Sequence, residues 1–228
     1  MRGGKTNREL RARFAWWIKR GSGIIFDTLH GVDTGVGVSA ENLEIASGNI
    51  GKGIAYDPCR WWTLRRSLDL VSLRPEGYIF VDIGSGKGKV LLSAIILPFE
   101  QVVGIEFSSY LSRVAERNIA AARFIHRRCL SVQLMCADVV EYQIPERPTV
   151  FFANPFHYDI MELVLDKIVV SYLKIPRSIF LIFYGTLTIM PQISEFLSAK
   201  SGGRAQWRVS TTLGLGQRSV NIFELPPS

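Results

Sequence analysis

Cysteine is scarce, with three residues in 228 (Cys59, Cys129 and Cys136), an odd number without C-x-x-C spacing. That excludes a disulfide framework and a zinc ribbon, and makes reduced thiols, in the core or partly buried, the expected state of a cytoplasmic protein. Long apolar runs are missing too. The longest, Val90–Leu97 and Ile179–Tyr184, fall far short of the roughly 20 residues that a membrane span needs. The N-terminus is basic but lacks the apolar stretch of about 7–15 residues that a secretory signal carries. No repeat, low-complexity tract or long linker divides the chain, and no metal-ligand set is expected. The net charge of +7 is not spread evenly: residues 1–21 hold seven basic groups against Glu9, leaving 20 basic and 19 acidic residues elsewhere. With 47% hydrophobic and 21% charged residues, disorder is excluded and a soluble globular protein is expected.

From Tyr78 onward, short β-rich runs alternate with helical stretches. Tyr78–Ile83, Gln101–Glu106, Val132–Cys136, Thr149–Ala153 and Ile179–Tyr184 read as strands, and Ser109–His126 and Ile160–Leu173 as helices. An apolar helix running to Leu97 follows the first strand. This alternation implies βαβ units and a parallel sheet covered on both faces. Gln206–Thr212 and Arg218–Leu225, separated by a Gly-rich turn, read as a terminal antiparallel pair. Upstream, Arg8–Lys19 reads as a basic amphipathic helix and the glycine-rich stretch 21–53 as loop. Asp57-Pro58 carries a helix-start signature, Asp as N-cap and Pro at the first helical position, for a helix through Val71 with Trp61, Leu64, Leu68 and Val71 on one side.

The stretch Asp82-Ile83-Gly84-Ser85-Gly86-Lys87-Gly88 follows a strand and opens a helix, the setting in which a glycine turn brings backbone close to a ligand. Its D-x-G-x-G-x-G spacing differs from the G-x-G-x-x-G of dinucleotide binders and lacks the G-K-[ST] ending of a P-loop. A carboxylate just before the turn suits an ammonium group better than a pyrophosphate. Glu106, ending the second strand, stands where a carboxylate accepts both hydroxyls of a ribose. Asp138, just past the third strand, reaches the next portion of a nucleoside. An ordinary strand–helix turn is the plainer reading of the same glycines.

From about Asp57 to the C-terminus the sequence resembles the class I S-adenosylmethionine-dependent methyltransferases. D-I-G-S-G-K-G looks like the family's first motif, Gly104–Ser108 (G-I-E-F-S) its second and Cys136–Asp138 (C-A-D) its third. The resemblance implies a Rossmann-like α/β fold, a seven-stranded mostly parallel sheet of order 3-2-1-4-5-7-6 with helices on both faces and strand 7 antiparallel. It also implies S-adenosyl-L-methionine as cofactor. Asp82, Gly84, Ser85, Gly86 and Gly88 would hold its methionine part and Glu106 its ribose. Phe107 would lie against the adenine, with Asp138 and Val139 at the adenine amino group.

Phe151–His157 (F-F-A-N-P-F-H) resembles the N-P-P-[YF] box of methyltransferases acting on planar or amine nitrogens, with one Pro instead of two. It is also similar to the N-N-F box of the disruptor-of-silencing histone-lysine methyltransferases, and to an uncharacterised bacterial group sharing D-I-G-S-G-K-G and N-P-F. By this resemblance Asn154, Pro155 and Phe156 position an acceptor nitrogen, Asn154 bordering the cofactor as well. Asn154-Pro155 as a plain helix cap remains open. His157 stands as a general base or as an ordinary polar residue at a helix start, and Tyr56 as a residue closing over the cofactor or one that only packs.

The expectation is a methyltransferase domain over 72–228, preceded by an extension, 1–71, of basic helix, Gly-rich loop and lid helix. The expected activity is methyl transfer to an amine, on protein lysine or a small molecule. Alternatives are a small-molecule oxygen acceptor, RNA, or a non-catalytic module bound to nucleic acid or membrane. The basic N-terminus either packs on the domain or meets an acidic surface or nucleic acid.

Overall fold

The computed structural model describes residues 23–39, 55–122, 126–153, 158–185, 188–213 and 218–227. Seven strands form one sheet: β1 (Ile79–Ile83), β2 (Gln101–Glu106), β3 (Val132–Cys136), β4 (Thr149–Ala153), β5 (Ile179–Gly185), β6 (Gln206–Thr212) and β7 (Ser219–Leu225). Their order is β3-β2-β1-β4-β5-β7-β6, as the resemblance implies. β1 to β5 pair in parallel, and β7 runs antiparallel between β5 and β6. The helices are α1 (23–30), α2 (Thr63–Leu70), α3 (Lys89–Ala94), α4 (Ser109–Ala121), α5 (Tyr158–Lys174) and α6 (Met190–Lys200).

Strand alternation divides the core into two layers. Ile79, Val81 and Ile83 of β1 join Val103, Ile105, Leu181 and Phe183 against the apolar sides of α5 and α6. Phe80, Val102, Ile182 and Ile222 face the other way, onto Leu64 and Leu68 of α2, Leu91 and Leu92 of α3 and Ile119 of α4. A fully buried Leu, Ile or Phe contributes about 1.5–3 kcal/mol, so strands buried on both faces are strongly specified in register. Gly104 shows why β2 carries a glycine: a Cβ there would stand 2.5 Å from Leu91 Cδ1, so α3 can rest directly on the strand.

Several expectations are corrected. Asp57-Pro58 does not start a helix. α2 begins only at Thr63, with Trp62 at the N-cap and no side-chain cap. Asp57 instead accepts a hydrogen bond from Arg218 beside β7, and Cys59 is buried in the core, so tertiary contacts claim this segment before a helix can. Leu64 and Leu68 are buried as the periodicity requires, but Trp61 is 44% exposed. Residues 23–30, inside the stretch read as loop, are helical. α4 stops at Ala121, short of His126, and α6 is a helix the sequence reading leaves unassigned. Cys59 and Cys129 are buried, whereas Cys136 is exposed. The basic helix read over Arg8–Lys19 lies outside the described residues. Among those described, no helix is long and apolar enough to cross a membrane.

Candidate cofactor site

The register of β1 and β2 sets Asp82 opposite Gly104, two residues before Glu106. Alternation then turns both carboxylates to the α3 side of the sheet, at the carboxyl ends of adjacent strands. Both residues are buried, at 3% and 4% exposure. Asp82 Oδ2 has no hydrogen-bond partner among the described residues. Burial pushes the Asp82 carboxyl well above the usual carboxylate range, and the neighbouring Glu106 charge pushes it further. Burial also raises Glu106, but backbone N–H groups of Ser108, Gly86 and Phe107 pull it back. Gly86 N–H donates to Glu106 Oε2 at 2.8 Å and Ser108 N–H to Oε1 at 2.9 Å, so Glu106 secures the glycine turn while keeping lone pairs on both oxygens.

The turn hangs from β2, with the N–H groups of Gly84 and Ser85 both donating to the Ile105 carbonyl. Gly84, Gly86 and Gly88 have φ of 74°, 55° and 81°, all left-handed. At Gly86 the need for glycine is doubled, because a Cβ would lie 2.3 Å from Tyr56 Cε2. Tyr56 thus rests its ring directly on the turn. Its hydroxyl donates to the Thr34 carbonyl at 2.9 Å, and its backbone forms a two-residue bridge with Val38. Burial raises the Tyr56 phenol well above its ordinary value, so it stays neutral and donates.

No protein-family model and no curated protein matches the chain by sequence. Solved structures do match. A ribosomal protein L11 methylase from Lactobacillus delbrueckii subsp. bulgaricus superposes with a TM-score of 0.53 at 16% identity, over 79% of this chain and 82% of that one. A precorrin-6y C5,15-methyltransferase from Geobacter metallireducens gives 0.53 at 17% identity, over 84% and 97%. Magnesium protoporphyrin IX methyltransferase from Synechocystis, solved with bound S-adenosylmethionine, gives 0.51 at 14% identity, over 72% and 77%. The fold is that of the class I methyltransferases. None of these three is a disruptor-of-silencing enzyme, and that likeness rests on the sequence motifs alone.

Within this methyltransferase fold, Asp138 follows β3 by two residues, beside the end of β2, where Ala137 N–H donates to the Glu106 carbonyl at 3.0 Å. Asp138 Oδ1 accepts from Val140 N–H at 3.0 Å and so holds the short 3-10 turn Val139–Glu141. Phe107 and Val139 are half-buried at the same rim, Val139 packing partly against the α5–α6 layer. Ser85 is buried within the turn. Asn154, Pro155, Phe156 and His157 lie outside the described residues. They follow Ala153, the last residue of β4, which pairs with Ile83 just before the glycine turn.

Three residues at the glycine turn escape the sequence reading. Lys87, inside the turn, is buried and forms a two-oxygen ion pair with Asp33 at 2.9 and 3.0 Å. Asn118 of α4 donates from Nδ2 to the carbonyls of both Asp33 and Lys87, each at 2.8 Å, and accepts Asp33 N–H at Oδ1, also 2.8 Å. Asn118 had a signal: it is a polar residue in the apolar stripe Leu111, Val114, Ala115, Ile119. Asp33 and Lys87, 54 residues apart, had none.

Proposed function

We propose that the protein is an S-adenosylmethionine-dependent methyltransferase that methylates an amine nitrogen. One observation carries the cofactor assignment: a buried carboxylate with an orphaned oxygen, Asp82 Oδ2, next to a glycine turn that is tied to a second buried carboxylate. An orphaned buried carboxylate is costly unless a cation meets it, and the ammonium of a methionine moiety is such a cation. Glu106, with spare acceptor capacity on both oxygens, suits a pair of ribose hydroxyls. Asp138, with Phe107 and Val139 at the rim, would take the adenine end. Bound there, the cofactor supplies an electrophilic sulfonium methyl group.

The chain's part in transfer is to aim a nucleophile. In-line attack from about 3–3.5 Å makes positioning the main source of acceleration. Asn154, Pro155 and Phe156, next in the chain after β4, would hold the acceptor nitrogen, with the Asn154 side chain accepting its N–H. His157 would take up a proton if the acceptor enters as an ammonium. Residues up to 71 would act as lid, with Tyr56 and Asp33 fastened over the turn. The similar structures act by name on a ribosomal protein and on tetrapyrroles, and a putative RNA methyltransferase from Pyrococcus horikoshii shares the fold, so the preference for an amine rests on the N-P-F motif.

Calorimetry with S-adenosylhomocysteine tests the cofactor. Binding that weakens strongly in Glu106→Ala is expected, and no binding to well-folded protein would sink the reading. The acceptor is tested with methyl-labelled S-adenosylmethionine and extract from the source cells, alongside Asp82→Ala. Label entering an amine-containing fraction, lost in Asp82→Ala, is the expected result. Label only in RNA or on oxygen would overturn the nitrogen assignment.

A further inference from the structure

Lys167 of α5 carries its charge away from its own helix. The residues one turn to either side are Leu163, Val164, Val170 and Ser171, so no acid stands at helical spacing to pair with it. The adjacent Asp166 is taken by Lys200 of α6 at 2.7 Å. The half-buried Lys167 side chain crosses instead to the turn that follows β3, where Nζ donates to the carbonyl of Val140 and, at 3.0 Å, to that of Tyr142. Hydrogen bonds from an ammonium are about twice as strong as neutral ones. Val140 is thereby held at both ends of its backbone, its N–H by Asp138 Oδ1 at 3.0 Å and its carbonyl by Lys167. Apolar burial ties the same turn down independently, with Tyr142 buried and Val139 and Ile144 packed on the α5–α6 layer. Burial has no preferred direction and leaves the tilt of the turn open; two hydrogen bonds to alternate carbonyls fix it. On the opposite side Ala137 N–H donates to the Glu106 carbonyl at 3.0 Å, so Asp138 is set between a tie to β2 and a tie to α5.

We propose that Lys167 is a positioning residue for the adenine ring of the cofactor, acting through this turn on the direction from which Asp138 meets the base. The role rests on the placement of adenine at Asp138 proposed above, and it concerns selectivity for the base, not the transfer step. Adenine presents an amino donor beside a ring-nitrogen acceptor, whereas hypoxanthine presents a carbonyl acceptor beside an N–H donor. A carboxylate aimed at the amino group accepts from adenine and meets an oxygen in hypoxanthine, so the preference between them depends on where the carboxylate points. A turn that can tilt lets Asp138 reach the neighbouring N–H of hypoxanthine instead. Loss of the Lys167 clamp therefore shows as lost selectivity before it shows as a lost fold.

The test compares S-adenosylhomocysteine with S-inosylhomocysteine by calorimetry on the full chain. The unsubstituted protein should prefer the adenine compound by about a hundredfold or more. Lys167→Met, which keeps the apolar stem, should cut that preference by about tenfold while the melting temperature falls by only a few degrees. Lys167→Gln, a milder change that keeps an uncharged donor, should cut it by less. In Asp138→Ala, which lacks the group being positioned, Lys167→Met should alter the preference no further. Equal weakening of both ligands in Lys167→Met, with their ratio unchanged, would overturn the proposal and leave Lys167 as a structural tie. An effect on the ratio that persists in Asp138→Ala would overturn it too, because Lys167 would then act without Asp138. Neither result touches the cofactor assignment, which fails separately if the unsubstituted protein binds neither compound. Equal binding of both by that protein would remove adenine from Asp138, and the role of Lys167 with it.

Discussion

Asn118 and Asp33, 85 residues apart in the chain, exchange two hydrogen bonds of 2.8 Å, the side-chain amide of one reading the backbone N–H and C=O of the other. The remaining Nδ2 hydrogen goes to the carbonyl of Lys87 in the glycine turn, so a single buried amide joins the segment around Asp33, α4 and the turn. Asn118→Leu, close in volume, leaves three backbone groups without their partner. We expect a stability loss of about 1–3 kcal/mol by urea denaturation, with weakened S-adenosylhomocysteine binding. Asn118→Asp, which keeps the acceptor and loses the donor, should fall between.

Lys87 and Asp33 should respond unequally to removal. The Lys87 side chain is 4% exposed and that of Asp33 57%, so the buried partner is the cation. Asp33→Asn strands a buried ammonium, whereas Lys87→Met removes the buried charge and leaves a carboxylate that water can reach. Urea midpoints should therefore drop further for Asp33→Asn than for Lys87→Met. The reverse order would show that the pair is held for another reason.

Asp82 should give stability a pH slope. Its carboxyl titrates well above the range of an unfolded chain, so between those two values the folded state holds a proton that the unfolded state has released. Stability of the free protein must then fall as pH rises through that window, by at most about 1.4 kcal/mol per pH unit for one proton. Asp82→Asn should flatten the melting-temperature profile in part, Glu106 contributing the remainder in the same direction. A bound ammonium favours the ionised carboxylate, so S-adenosylhomocysteine affinity should rise with pH across the same window. Calorimetry showing affinity flat in pH would remove Asp82 from the cation's side.

Gly86→Ala places a methyl group inside the Tyr56 ring position at a φ of 55°. The left-handed backbone alone costs about 1–2 kcal/mol. Displacement of Tyr56 adds to this, and only that share should vanish in Gly86→Ala combined with Tyr56→Ala. A double-mutant cycle on melting free energies is therefore expected to be non-additive. Additive losses would mean the ring does not press on the turn in solution.

The central strands were legible because they are short runs of β-branched and aromatic residues buried on both faces, as in Ile79–Ile83 and Ile179–Gly185, where burial and local preference agree. Asp82, Glu106 and Asp138 were legible because strand ends set their spacing. What could not be read locally was settled by distant contacts. Asp57 looks like a helix cap until Arg218, 161 residues away, takes its carboxylate. α1 escaped because Ile24, Ile25 and Leu29 are exposed while Phe26 alone of its large apolar side chains packs on the core, so burial and hydrophobicity are out of phase. Lys87 reads as one more solvated cation until Asp33 is brought over it.

The position of β7 bears on how the protein is made. The last strand in the chain is wedged between β5 and β6, and its Val220, Ile222, Phe223 and Leu225 are buried. During synthesis, β1 to β5 can assemble as they leave the ribosome, but β5 keeps a bare edge and β6 has no neighbour until Leu225 is free. Open edges of this kind recruit strands from other chains, so the interval between emergence of β5 and of β7 is the stage most exposed to misassembly.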